Sequence, residues 1–137
     1  LRVLALDIGS KRIGLAVSDE LGYTAQGLKT LETKGYDRDI QTILNIAREL
    51  SVTEIVVGIP FNMDGTEGPQ AKKAQAMIEE LARYEVAPVF GWDERMSTMA
   101  AERMLLEADV SRAKRRKVID KIAATIILQG YLDSKRI

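Results

Sequence analysis

Val3-Leu-Ala-Leu-Asp-Ile-Gly9 is a short apolar run that carries one acid and stops at glycine. Its length and its stop suit a buried strand. Arg12 to Asp19 predicts a second strand, paired with the first across the turn at Gly9-Ser10-Lys11, and Thr24 to Thr33 predicts a third. From Asp37, the expected N-cap, apolar residues fall at Ile40, Ile43, Leu44, Ala47 and Leu50, which is helical spacing. Glu54 to Ile59 is a β-branched strand stopped by Pro60. The loop Phe61 to Gly68 leads to Pro69 at the favoured first position of a helix, whose stripe is Ala74, Met77, Ile78 and Leu81. Ala87 to Trp92 predicts a further strand. Ser97 or Thr98 caps a helix to about Ala108, and Ser111 begins a last helix to about Asp133. Three strands followed by strands alternating with helices imply an α/β fold, a mixed five-stranded sheet flanked by helices on both faces. Ligands of such sheets bind beyond the carboxyl ends of the strands.

No repeat or linker divides the 137 residues, so a single domain, 1–137, is expected. The chain has no cysteine and no histidine. Disulfides, Cys/His zinc sites, thiol nucleophiles and Ser-His-Asp triads are therefore excluded. No run approaches the ~20 apolar residues of a membrane span, and no signal peptide is visible, so a cytoplasmic protein is expected.

Three acidic positions stand out. Asp7 alternates onto the face of Val3 and Ala5, where an ionised carboxylate is costly unless paired, hydrogen-bonded or on a metal. Two readings are open: a strand-end Asp that caps the Gly9 turn, or a site residue. Asp120 heads a mostly apolar stripe of the last helix, with Ala123, Ala124, Ile127 and Tyr131 all within about 60° of it. It either pairs with Arg116 one turn earlier or faces the sheet as a functional carboxylate. Asp93-Glu94 follows a strand and precedes a helix cap, so either one acid caps while the other acts as a ligand, or both have a structural role alone, complementing the helix dipole. Carboxylates without His or Cys favour the hard cations Mg²⁺ or Mn²⁺. Two such ions roughly 3.5–4 Å apart would suit an in-line phosphoryl displacement.

Lys+Arg and Asp+Glu balance at twenty each, but the distribution is uneven. Arg112-Ala-Lys-Arg-Arg-Lys117 places Arg112, Lys114, Arg115, Arg116 and Lys117 in six residues just ahead of Asp120. Cations in a first helical turn oppose the helix dipole, and a phosphate backbone would reverse that cost. The alternative is a solvated face. Lys11 and Arg12 repeat the arrangement after Asp7, and Arg95 follows Glu94. With one Trp, four Tyr and two Phe and no cluster among them, stacking readout of single strands is not indicated; backbone- and shape-directed binding is. The 61–68 loop either approaches a phosphate or merely connects strand to helix; it lacks the Gly-Lys-Ser/Thr of a Walker loop.

Read together, Asp7-Ile-Gly-Ser-Lys-Arg-Ile-Gly-Leu-Ala-Val-Ser-Asp19, Gly58-Ile-Pro-Phe-Asn-Met-Asp-Gly-Thr-Glu-Gly68, Asp93-Glu-Arg-Met-Ser-Thr98 and Asp120-Lys-Ile-Ala-Ala-Thr-Ile-Ile-Leu-Gln-Gly-Tyr-Leu-Asp133 resemble the four signatures of the YqgF/RuvX family. The resemblance spans essentially the whole chain, in order. Members of that family are described as pre-16S rRNA nucleases or Holliday-junction resolvases. The resemblance implies a ribonuclease H-like fold and a divalent-metal phosphodiesterase with Asp7, Glu94 and Asp120 as catalytic and metal-binding acids, Asp93 being the alternative to Glu94. It also matches the basic run before Asp120. The related resolvase RuvC has an acid at the end of the central strand, where this chain has Gly58-Ile-Pro60. The implied substrate is nucleic acid, pre-rRNA first and branched DNA second, cut by a monomer or weak homodimer. Two other classes compete. One is a small-molecule phosphotransferase, since Asp-Ile-Gly-Ser resembles an actin- or hexokinase-type phosphate loop. The other is a non-catalytic RNA- or ribosome-associated factor that kept the fold.

Overall fold

The computed structural model describes residues 1–96 and 112–135, with residues 112–121 described as helical backbone only. Five strands form one sheet: β1 (Val3–Ile8), β2 (Arg12–Ser18), β3 (Ala25–Glu32), β4 (Glu54–Ile59) and β5 (Val89–Asp93), in the order β3-β2-β1-β4-β5. The first of these strands along the chain is the central one. It runs antiparallel to β2 and parallel to β4, β5 continues the parallel side, and β3 closes the antiparallel side.

All six residues of β1 are buried because both faces of the sheet are covered. On one face Leu4, Leu6 and Ile8, with Ile55, Val57 and Ile59 of β4, pack against α1 (Tyr36–Glu49) and α2 (Pro69–Arg83) through Ile40, Ile43, Leu44, Met77 and Leu81. On the other, Val3, Ala5, Ala16 and Val56 meet Ala123, Ala124, Ile127 and Leu128 of α3 (Arg112–Ser134). Burying each Leu or Ile contributes about 1.5–3 kcal/mol. The alanines on this second face allow the helix to lie close to the sheet.

The direction of α3 positions the site. At its end, Tyr131 Oη donates to Glu54 Oε2 at 2.6 Å and Lys135 Nζ donates to Glu54 Oε1 at 2.8 Å, at the start of β4. Gln129 accepts from Ala25 N at 3.1 Å and donates to the Tyr23 carbonyl at 3.3 Å, tying the helix to the start of β3. Ile127 instead stands over Gly58, near the end of β4. The helix therefore runs antiparallel to β1 and β4, and its earlier turns lead toward the carboxyl edge of the sheet.

The strands predicted from the pattern, and the helices that fall on the described residues, are present, with shifts that have local causes. Gly35, at φ 117°, precedes the first residue of α1, so the helix starts one residue before the expected cap and Asp37 lies in its first turn. Asp39 Oδ1 reaches back to Lys34 N at 3.0 Å and stabilises that entry. β5 starts at Val89 because Pro88 has no N–H to give the ladder, although its carbonyl accepts from Ile55 N at 2.9 Å. The helix expected from Ser97 or Thr98 to about Ala108 lies outside the described residues.

Candidate active site

The strand register sets a row across the α3 face at the carboxyl edge. Asp7 pairs with Gly14 of β2, and Gly58 pairs with Trp92 of β5. The parallel register of β1 and β4, Leu6 opposite Val57, places Gly58 beside Asp7 when continued by one residue. The row is thus Gly14, Asp7, Gly58, Trp92. Asp7 is 6% exposed and has a residue without a side chain on each flank.

The space over Gly58 is filled from two other elements. A Cβ there would lie 3.1 Å from Ile127 Cγ1 and 3.2 Å from Glu94 Oε2, and closer still to Ile127 Cδ1. The Glu94 carboxylate therefore sits on the central pair of strands, although it belongs to the 3₁₀ turn Glu94–Met96 after β5. Strands are about 4.8 Å apart, so Asp7 and Glu94 present carboxylates to the same end of the same face.

Asp93, the alternative to Glu94, is engaged elsewhere. Its Oδ1 accepts from Arg95 N at 2.9 Å and Arg95 Nε at 3.1 Å, and its Oδ2 accepts from Arg95 Nη2 at 2.8 Å. These hydrogen bonds from the guanidinium hold the Asp93 carboxyl below the usual carboxylate range, against the smaller opposing effect of burial. The same fork raises the pKa of Arg95. Of the remaining expected residues, Lys11 is exposed in the turn after β1, where its carbonyl accepts from Thr33 N at 3.0 Å. Arg12 is half-buried at the start of β2, and its Nε has no hydrogen-bond partner among the described residues. Asp120 lies in α3, two turns before Ile127 and so toward the carboxyl edge; Arg112, Lys114, Arg115, Arg116 and Lys117 precede it on the same helix. The side chains of these six lie outside the described residues.

The described part of the site offers oxygen donors only, which fits a hard divalent cation and no soft one. Among the described residues no three acids gather in one cluster; the pair at this edge is Asp7 and Glu94.

Three features escaped the sequence. Glycines 14 and 58 flank Asp7 only by virtue of strand order. Lys73 of α2 donates to the Gly9 carbonyl at 3.1 Å, bracing the turn after Asp7. The 61–68 loop uses its own N–H groups: Asn62 N donates to the Thr66 carbonyl at 2.9 Å, Gly65 N to the Asn62 carbonyl at 2.8 Å and Thr66 N to Asp64 Oδ1 at 3.0 Å. Spent in this way, those groups cannot cradle a phosphate. The Asn-Met-Asp-Gly-Thr sequence carries the turn signal that would have revealed it.

A mixed sheet in this order, with helices on both faces and acids at the carboxyl edge of its central strand, defines the ribonuclease H-like fold. Solved structures agree. Thermus thermophilus RuvC in complex with Holliday junction substrate superposes with a TM-score of 0.61 at 16% identity over 98% of this chain and 96% of that one. The fowlpox virus Holliday junction resolvase gives 0.59 at 17%, over 98% and 99%. The family model described as "RuvX: Holliday junction resolvase" matches residues 1–134, and the chain belongs to the RuvX family. A relative from Geobacillus kaustophilus is 56% identical over 99% of this chain and 100% of its own length. Another from Symbiobacterium thermophilum is 56% identical over 98% and 94%. Both carry the description "Putative pre-16S rRNA nuclease". Among the described residues no helix is long and apolar enough to cross a membrane.

Proposed function

We propose that this protein is a hydrolase that cleaves phosphodiester bonds of structured RNA, processing the 5' end of pre-16S rRNA in the cytoplasm. The observation that carries the reading is the pairing of a buried Asp7 with the Glu94 carboxylate seated beside it over Gly58. Glu94 is the acid the family resemblance carries over, and its seat over Gly58 supports its standing in for the strand-end acid of the related resolvase RuvC. Asp7 and Glu94, with Asp120 from α3, would hold Mg²⁺ or Mn²⁺, whose chemistry when bound is Lewis-acid activation of the phosphate and of water. The chain's own residues do the rest. Lys11, Arg12 and the 112–117 run hold the phosphate backbone, and the buried floor around Asp7 limits bulk water at the edge where the scissile bond lies. The descriptions of the relatives support RNA as substrate.

The description of the family model favours a second reading, cleavage of a DNA four-way junction. One panel tests both: pre-rRNA-like, single-stranded RNA and four-way-junction DNA substrates, each with Mg²⁺, Mn²⁺ or chelator. RNA cleavage that needs the metal and disappears in Asp7→Asn is expected. Equal cleavage by wild type and Asp7→Asn refutes the proposal, and preferential cleavage of the junction selects the second reading.

A further inference from the structure

Glu94 has three side-chain torsions and stands at the end of an edge strand. Its carboxylate stands over Gly58, and the residues on either side of it bracket its backbone. Asp93 accepts from the backbone N–H of Arg95, closing a tight bracket around the Glu94 peptide units, and the Arg95 guanidinium closes a second ring through its fork on the same carboxylate. The guanidinium then reaches across to the loop after β4. It stands 5.4 Å from the centre of the Phe61 ring, and Nη1 points at the Met63 carbonyl at 3.5 Å. Gly65, at φ 88°, lies beside it: a Cβ there would stand in ordinary contact with Nη1, at 3.4 Å. The loop is in turn closed by Asn62 Nδ2 donating to Thr66 Oγ1 at 2.9 Å and Thr66 Oγ1 donating to Asp64 Oδ1 at 2.6 Å. β4 thus supplies the seat of Glu94, at Gly58, and leads directly into the anchor of the arginine that brackets it, at Phe61 and Met63.

Resting on the reading of Glu94 as a site acid, we infer that Asp93, Arg95 and the Phe61–Thr66 loop form one clamp that fixes the Glu94 carboxylate over Gly58, with Asp93 and Arg95 as positioning residues and not substrate contacts. All three guanidinium nitrogens face protein oxygens. Transferring Arg95 to a phosphate would break a bidentate pair whose plane is fixed by both partners. A lysine at 95 keeps the charge but cannot form the fork.

The test uses Asp93→Asn, Arg95→Lys, Arg95→Ala and Glu94→Ala in the whole chain, with thermal unfolding as a control for folding. Calorimetric titration with Mn²⁺ reads the positioning of the acid. Cleavage of a pre-rRNA-like RNA gives kcat and KM, and binding of a single-stranded RNA oligonucleotide in chelator at several salt concentrations reads phosphate contacts. Asp93→Asn and Arg95→Lys are expected to weaken Mn²⁺ binding and lower kcat roughly 10- to 100-fold, the scale of a misplaced catalytic group, with KM unchanged. In the Glu94→Ala background Asp93→Asn should add no further loss of Mn²⁺ affinity. In Arg95→Ala the salt slope of RNA binding should stay at its wild-type value. A slope reduced by about 0.7, one phosphate contact on a single strand, makes Arg95 a substrate contact and overturns the clamp. If Asp93→Asn and Arg95→Lys bind Mn²⁺ and cleave as wild type while Glu94→Ala does neither, the clamp fails and the role of Glu94 survives. If Glu94→Ala retains wild-type Mn²⁺ affinity and cleavage, the reading of the site fails and takes the clamp with it.

Discussion

Gly58→Ala adds one methyl group at the most crowded point of the site. That methyl meets Ile127 Cδ1 and Cγ1 on one side and Glu94 Oε2 at 3.2 Å on the other. Forcing an extra carbon into a filled interior costs about 1–3 kcal/mol. The lower chain entropy of alanine in a strand returns about 0.5–1 kcal/mol, so the net loss is at most about 2.5 kcal/mol and centres on about 1 kcal/mol. In urea, with a slope of about 1–3 kcal/mol/M, a loss of about 1 kcal/mol lowers the midpoint by roughly 0.3–1 M. Ile127→Val removes Cδ1, the nearer of the two clashing atoms, and alone costs about 0.5–1.5 kcal/mol. The double variant should therefore be more stable than the two losses summed, with coupling of about 1 kcal/mol. Activity should behave differently. Shortening Ile127 does nothing for the contact with Glu94, so the cleavage lost in Gly58→Ala is not recovered when stability is. Urea denaturation of the four proteins, with cleavage assays alongside, decides the matter. Strictly additive losses refute the packing over Gly58.

Glu54 is drawn upward by burial, but hydrogen bonds from Lys135 and Tyr131 outweigh that and leave its carboxyl below the usual 4.5. A depressed folded-state pKa means that the stabilisation is complete above the unfolded pKa and is lost as pH falls through the folded one. The gap in stability between wild type and Glu54→Gln, roughly 0.5–1 kcal/mol because Lys135 is largely solvated, should therefore hold at neutral pH and shrink below about pH 4. An unchanged gap down to pH 3 counts against the ion pair. Ser18→Ala leaves the buried Val3 N–H without the Oγ that accepts it at 2.8 Å, at a cost of about 1–3 kcal/mol, and should speed exchange of that amide. Replacing Arg112 and Lys114 by Gln should lower the salt slope of RNA binding by roughly 1.4, because each phosphate neutralised on a single strand contributes about 0.7. An unchanged slope assigns those cations to a solvated face.

Much of the fold was legible because its signals are local. Alternation on β1, the helical stripes at Ile40–Ala47 and Ala74–Leu81, and Pro69 at a helix start each depend on a few neighbouring residues. Asp7 was legible for the same reason, an acid in an apolar period-two pattern. The misplacements concern groups whose partners lie outside the local pattern: Gly35 opens α1 because Asp39 turns back to Lys34, and β5 is delayed by the missing N–H of Pro88. The family resemblance assigned Glu94, but the local pattern alone did not separate it from Asp93. Both are acids at a strand end, and they are separated only by what each meets in space, Arg95 for one and the bare backbone of Gly58 for the other. Glycine 58 itself gives no local signal, because its meaning lies in Ile127, far along the chain, and in strand order.

The tie between Glu54 and the end of α3 has a consequence for how the molecule comes into being. β1 is synthesised before the other strands and occupies the centre of the sheet. The helix that covers its Asp7 face is synthesised after all five, and it is fastened at its far end by hydrogen bonds across 77 and 81 positions. A growing chain can close the α1–α2 side early from nearby segments. Among the described residues outside the sheet, its other side is covered by Ala123 to Lys135, and long loops must close before those bonds repay the entropy. A partly made copy that stops before α3 therefore lacks both that helix and its basic run. Covering of the Asp7 edge by α3 is in this way deferred until every strand beneath it already exists.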